Sequence, residues 1–321
     1  MQTHPLPQLI TSLILLVLHQ AAFGQSSPPP GEAQREVAAQ TGTPQLRAAT
    51  GSVRLRSQTT KERDGSSAAD SEFGEQRIVQ RRAQVEPWSV VADVQLFHTD
   101  NVALTPTGEQ RDWYLRYGLA VSYTNRIKGP LFIDLSLQQY LFRYSKFDAL
   151  DFDLTRFDGG LLVQAPWLSN AFFFARYTLQ RITEPGLGTA FFTNHAADLG
   201  VQKVWKISRG QQVFAGVAAN LALDTSPGSG ARNEYSATLG YSARLTERVT
   251  ASASYRGSWN DYAEGPRTDW NHIVAAGVTY DATDWLRLGV NASFSHNDSN
   301  TSFADYDNFV AGCSIALRLA F

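Results

Sequence analysis

The sequence predicts an all-β protein: a transmembrane, antiparallel, up-and-down β-barrel of about twelve strands behind a disordered N-terminal periplasmic tail. Three observations predict it. Hydrophobicity alternates with a period of 2 from about residue 87 to the last residue. Links between the alternating segments are by turns tight and long. The tryptophans fall at segment ends rather than segment centres, where two membrane interfaces would lie.

Composition excludes the simplest alternatives. With 28 Lys and Arg against 30 Asp and Glu, the formal charge of −2 gives no broad reason to expect nucleic-acid binding. Mean hydropathy is −0.25, and no uninterrupted apolar run approaches the roughly 18 to 20 residues of a membrane-crossing helix. A single cysteine, Cys313, rules out an intrachain disulfide or a Cys-ligated cluster.

The chain divides into three parts. Residues 1–24 read as a signal peptide: a short apolar stretch from Leu9 to Leu18 precedes Ala22-Phe23-Gly24, a small-residue site for a cut before Gln25. Residues 25–86 are rich in Ser, Pro, Gly, Gln and charges of both signs, a composition that buries too little apolar surface to offset its ordering entropy. They read as a disordered periplasmic linker or partner-docking tail, with 75–84 its one short helical candidate. A barrel plug is the weaker alternative, because the segment has no core of its own. Residues 87–321 form the barrel.

Twelve alternating segments lie at about 88–99, 112–126, 130–145, 153–166, 170–183, 190–206, 211–224, 231–245, 249–261, 268–281, 285–297 and 305–321. Each exceeds the roughly 9 to 11 tilted residues that cross an outer membrane. In the second, Trp113, Leu115, Tyr117, Leu119, Val121 and Tyr123 alternate with polar or small residues. An even strand number puts both barrel ends on the periplasmic side, with tight turns there and longer loops outside. Trp88, Trp167 and Trp205 then mark the periplasmic interface, and Trp113, Trp259 and Trp270 the outer one. In this register these six take the apolar face, which is the aromatic girdle of a membrane barrel. The alternation Ile315-x-Leu317-x-Leu319-x-Phe321 resembles the terminal recognition signal of bacterial outer-membrane barrels, which implies the barrel-assembly machinery as a partner.

The face that points inward carries Arg116, Arg156, Arg176, Arg244, Arg256, Arg287 and Arg318 against Asp93, Asp134, Asp158, Asp198 and Glu234. Two readings stand. Arg and acid on adjacent strands, such as Asp134 near Arg116 and Arg156, brace the wall; or the arginines favour passage of small anions or acidic sugars through bidentate hydrogen bonding. Tyr140, Phe142, Phe172 and Phe174 share this parity and offer either sugar-stacking surfaces or packing.

Catalytic and metal motifs are weak. Ser295 and His296 are neighbours on a strand and point to opposite faces, and there is no Gly-x-Ser-x-Gly elbow. Aspartates at 148, 151, 153, 298, 305 and 307 crowd two outer loops but lack the turn Gly and bidentate Glu of a calcium loop. No cofactor, metal or enzymatic activity is expected.

The first alternating segment ends Leu96-Phe97-His98-Thr99, followed at once by Asp100-Asn101-Val102 and then Thr105-Pro106. This resembles the start of the beta-barrel porin family associated with exopolysaccharide export loci. The resemblance implies a Gram-negative outer-membrane location and a part in polysaccharide transport. Strand number and lumenal arginines also resemble small twelve-stranded channels for acidic oligosaccharides. The expectation is a monomeric outer-membrane pore for small solutes, chiefly saccharides with mild anion preference, in contact with lipid and lipopolysaccharide. The alternative is an occluded structural or export-accessory barrel that docks a periplasmic partner through its tail.

Overall fold

A computed structural model describes residues 32–41, 87–169 and 171–321. Residues 1–24, read as a signal peptide, and the helical candidate at 75–84 lie outside the described residues. Twelve antiparallel strands close on themselves: β1 (Trp88–Thr99), β2 (Asp112–Lys128), β3 (Leu131–Tyr144), β4 (Phe152–Ala165), β5 (Ala171–Thr183), β6 (Ala190–Lys206), β7 (Gln211–Ser226), β8 (Arg232–Arg244), β9 (Val249–Tyr262), β10 (Thr268–Asp281), β11 (Leu286–Ser299) and β12 (Tyr306–Ala320). Every strand pairs with its sequence neighbours, and β1 closes the ring on β12. Closure satisfies every strand's backbone within the sheet, the condition for placing a sheet in hydrocarbon.

Expected and observed strands agree to within two residues at nearly every end. The agreement has a physical cause. Each strand separates lipid from lumen, so polarity must switch at every residue, and the switching stops where the chain leaves the bilayer.

The register fixes the faces. Directly paired residues share a face, so Leu119 opposite Ala92 and Leu239 opposite Ala215 and Tyr255 belong to the outer surface. Mid-strand aliphatics on that surface, including Leu199, Val217, Leu239, Val274 and Val290, are exposed. A continuous apolar band around a closed barrel is far larger than a water-soluble monomer leaves uncovered, and it is the surface a bilayer covers. Trp88, Trp113, Trp205 and Trp270 stand exposed at strand ends, Trp167 projects from the turn after β4 at 77% exposure, and Trp259 is paired with Trp270. Trp88 packs on Tyr123, and Tyr235 stacks on Trp259.

The two barrel ends differ as the link lengths anticipate. The chain enters and leaves at one end, where the Trp88 amide donates to the Phe321 carbonyl and the Phe321 amide to the Trp88 carbonyl, both at 3.1 Å. Ile315, Leu317, Leu319 and Phe321 are all exposed at the outer surface or this rim. By the rule of short periplasmic turns, this is the periplasmic end.

The Asp100-Asn101 pair clamps the first outer loop. The Asp100 carboxylate accepts from the Phe309 amide at 2.7 Å. Asn101, 0% exposed, donates through Nδ2 to the Thr105 and Asp307 carbonyls and accepts at Oδ1 from the Thr105 amide. Loop 100–111 is thereby tied to β12, across the seam where the barrel closes.

Inside, cross-strand pairs set a glycine opposite an aromatic, among them Phe97 with Gly312, Phe174 with Gly200 and Phe214 with Gly240. Each ring occupies the space a Cβ on the glycine would take. The rings therefore lie along the wall instead of projecting across the lumen, as in aromatic rescue of a glycine.

One element departs from the expected tail. Residues Glu32–Thr41, within the stretch read as disordered periplasmic linker, form an α-helix, α1. Arg35, Glu36, Val37 and Gln40 are buried in the outer part of the lumen. The argument against a plug, that the segment has no core, fails for a physical reason: α1 borrows its core and its polar partners from the barrel wall.

Candidate functional site

The lumen is an enclosed surface, and its outer part is built from two materials. The first is an apolar cluster in which Phe97, Tyr114, Phe142, Phe152, Ile182 and Phe192 meet Val37 of α1. Phe142 stacks on Phe152 with centroids 4.2 Å apart, and Phe97 on Tyr114 at 5.2 Å. The second is a polar seat for α1 on β8, β11 and β12. Arg232 Nη2 donates to Glu36 Oε1 at 2.5 Å, and Tyr306 Oη to Glu36 Oε2 at 3.4 Å. Gln40 donates to Ser295 Oγ at 2.6 Å and accepts from Asn308 Nδ2 at 2.7 Å. Arg35 donates to the Gly230 carbonyl at 3.4 Å and lies over the Phe192 ring. Burial, and then the neighbouring Arg232 cation, draw the Arg35 guanidinium down to about 10, against the opposing pull of Glu234 and Glu36. The seat thus includes a cost as well as bonds.

Below α1 the wall carries the arginine ladder. Arg116 meets Asp93 at 3.2 Å, and its guanidinium lies 4.8 Å from the Tyr140 ring. Arg156 makes paired contacts with Asp158, which also accepts from Thr178 Oγ1 at 2.9 Å. Arg176 meets Asp134 at 3.1 Å and Asp198 at 3.8 Å, over the Phe174 ring. Arg256 pairs with Glu234, which also approaches Arg232 at 3.7 Å. Toward the periplasmic rim Arg287 meets Asp281 at 2.6 Å, while Arg244 is exposed there. Arg318 takes the same inward parity on β12, opposite Val91.

All seven sequence-derived arginines, with Asp134 and Asp158, therefore face inward. One pairing differs from expectation. Asp134 contacts neither Arg116 nor Arg156; it reaches two strands over to Arg176. In register, Asp134 on β3 lies opposite Gly160 on β4, and Gly160 opposite Arg176 on β5. The missing side chain at Gly160 leaves the path between acid and base open.

Arg232, Glu36, Gln40, Tyr306 and Asn308 were not singled out by the sequence. Parity alone could have found Arg232, two residues before inward-facing Glu234. The loop aspartates serve as local braces: Asp153 bonds Arg143 and the Gly186 and Leu187 amides, Asp151 the Tyr144 amide, and Asp305 the Ser299 amide. Among the described residues no group of three or more His, Cys, Asp or Glu is placed to hold a metal. Ser295 faces the lumen against Gln40, whereas His296 meets Asp307 on the outer face, so the two form no nucleophile–base pair.

Comparison with known proteins agrees with this architecture. Residues 173–319, from β5 into β12, match the family described as "Putative beta-barrel porin 2". The chain is similar in structure to an outer membrane channel from Pseudomonas putida F1, at 11% identity over 76% of this chain and 100% of that one, with a TM-score of 0.53. Looser likenesses include an anion-selective porin from Comamonas acidovorans (9% identity, 72% of this chain and 98% of that one, TM-score 0.39) and the NanC porin (8%, 71% and 100%, TM-score 0.41). No curated protein matches the sequence. The protein is a twelve-stranded β-barrel of the bacterial outer membrane.

Proposed function

We propose that the barrel is a pore for small hydrophilic solutes, chiefly saccharides, with a mild preference for anions. The observation that carries this reading is the lumen wall. It holds Arg116, Arg156, Arg176 and Arg256 in ion pairs, and further basic groups, Arg244, Arg287 and Arg318, near its periplasmic end. Paired arginines brace the wall and still present N–H groups to a passing carboxylate or hydroxyl. Arg244, exposed at the rim, with the half-buried Arg287 and Arg318 near it, raises the local concentration of anions. Aromatic rings laid against glycines line the wall without narrowing the passage. The family match and the channel-like fold support a pore; a periplasmic partner or an export-accessory role has no comparable support on the lumen wall.

Liposome swelling tests the reading. Vesicles containing the refolded protein are expected to swell faster in sodium glucuronate than in a glucose solution of equal osmolarity, and Arg244→Ala, Arg287→Ala and Arg318→Ala together should remove that difference. Swelling indistinguishable from empty vesicles, for the protein and for a form lacking residues 32–41, would refute the pore.

A further inference from the structure

Helix α1 touches the barrel through groups that a soluble ligand could replace one for one. Glu36 supplies a carboxylate to Arg232 and Tyr306, and Gln40 supplies a donor and an acceptor to Ser295 and Asn308. The receiving side chains belong to the wall, on β8, β11 and β12, and are built to accept such groups. Arg232 is 4% exposed and is itself held by Tyr262, whose hydroxyl accepts from Nη1 at 2.9 Å and donates to Asp269 at 3.2 Å. Glu234, 3.7 Å away, is shared with Arg256, so the close carboxylate at Arg232 is that of Glu36, and a buried cation fixed in this way is costly to leave without it or a carboxylate in its place.

We propose that this part of the outer lumen is a binding site for a carboxylate-bearing, hydroxylated solute, and that α1 occupies it as an internal stand-in until the solute displaces it. The proposal rests on reading the barrel as a solute pore and adds where the solute is recognised and how the lumen is opened. Glu36 and the solute carboxylate compete for Arg232, so solute binding and helix seating exclude each other. A ligand that binds only the helix-released state shifts the equilibrium toward it.

Two features suit α1 to leaving. Among its described side chains Val37 is the buried member of the apolar cluster and the small Ala38 packs against it, so little hydrophobic area holds it. Residues 42–87 join it to β1, and at about 3.3 Å per extended residue that length exceeds any barrel height several-fold. The remaining hold is polar, and polar contacts can be exchanged for those of a ligand at small net cost.

The test reads helix release without measuring current, so it is independent of whether the barrel conducts. Cys313 is exposed on the outer face; in a Cys313→Ser background, Val37→Cys places one thiol in the buried cluster, 6% exposed in the parent. Maleimide labelling of the folded, full-length protein is followed in detergent micelles with glucuronate, with glucose, and with neither. Labelling is expected to be slow alone and with glucose, and about tenfold faster in saturating glucuronate, as a population shift toward the released state requires. Adding Arg232→Ala should give fast labelling that no longer responds to glucuronate. Labelling that glucuronate leaves unchanged in the parent would overturn the carboxylate site, with α1 then a fixed plug. Equal acceleration by glucose would overturn the role of the carboxylate, and slow labelling in the Arg232→Ala protein would overturn the latch. If these results hold and the barrel nevertheless passes no solute, the pore reading alone falls.

Discussion

Leu239→Arg is expected to destabilise the folded barrel in lipid by about 2 to 4 kcal/mol, the cost of an arginine near the bilayer midplane on the lipid face. Leu239 lies near the centre of β8, 54% exposed, with Ala215 and Tyr255 as same-face neighbours. Ser236→Arg, three residues away on the opposite face, should change stability by about 1 kcal/mol or less, because the lumen already accommodates charge and water. Urea unfolding from phospholipid vesicles, followed by tryptophan fluorescence, measures both. The contrast carries the information. A water-soluble barrel would tolerate arginine at Leu239 and reject it at Ser236, so a reversed order would contradict the membrane assignment.

Glu234→Ala should be the most damaging lumenal substitution, at about 3 kcal/mol, toward the lower end of the cost of breaking a buried ion pair, since the lumen keeps some water. Glu234 pairs with Arg256 and lies 3.7 Å from Arg232, so its removal takes the paired acid from Arg256 and a nearby carboxylate from Arg232. Glu234→Gln keeps a hydrogen-bond acceptor and should lose less. Combining Glu234→Ala with Arg256→Met should restore part of the loss, because removing both partners costs less than stranding one. The same unfolding assay serves. Strictly additive losses in the double variant would show that the pair does not couple.

The barrel was legible because its environment imposes polarity residue by residue. Strand bounds, inward arginines and outward tryptophans follow from a period of 2 and from link lengths, both local in sequence. What could not be read is what depends on neighbours across the sheet. Whether Asp134 meets Arg156 one strand away or Arg176 two strands away is set by stagger between strands and by the gap at Gly160, and no local pattern encodes the stagger. Helix α1 was missed for a related reason. Amphipathic periodicity finds helices that bury an apolar stripe, but Glu36 and Gln40 are buried against polar partners on β8, β11 and β12, Arg35 against the Gly230 carbonyl, and Val37 with Ala38 beside it meets the apolar cluster. The Asp100-Asn101 dipeptide carries a family resemblance in the sequence; its work, tying the first outer loop to the last strand, lies in hydrogen bonds to residues far along the chain.

Single-channel recording in a planar bilayer under a KCl gradient tests the central claim most directly, with the refolded mature protein and a form lacking residues 32–41 measured side by side. The account predicts discrete openings, larger or more frequent without α1, with a reversal potential displaced toward that of chloride. A barrel shown to be folded by its resistance to unfolding, yet silent in both forms, would contradict it.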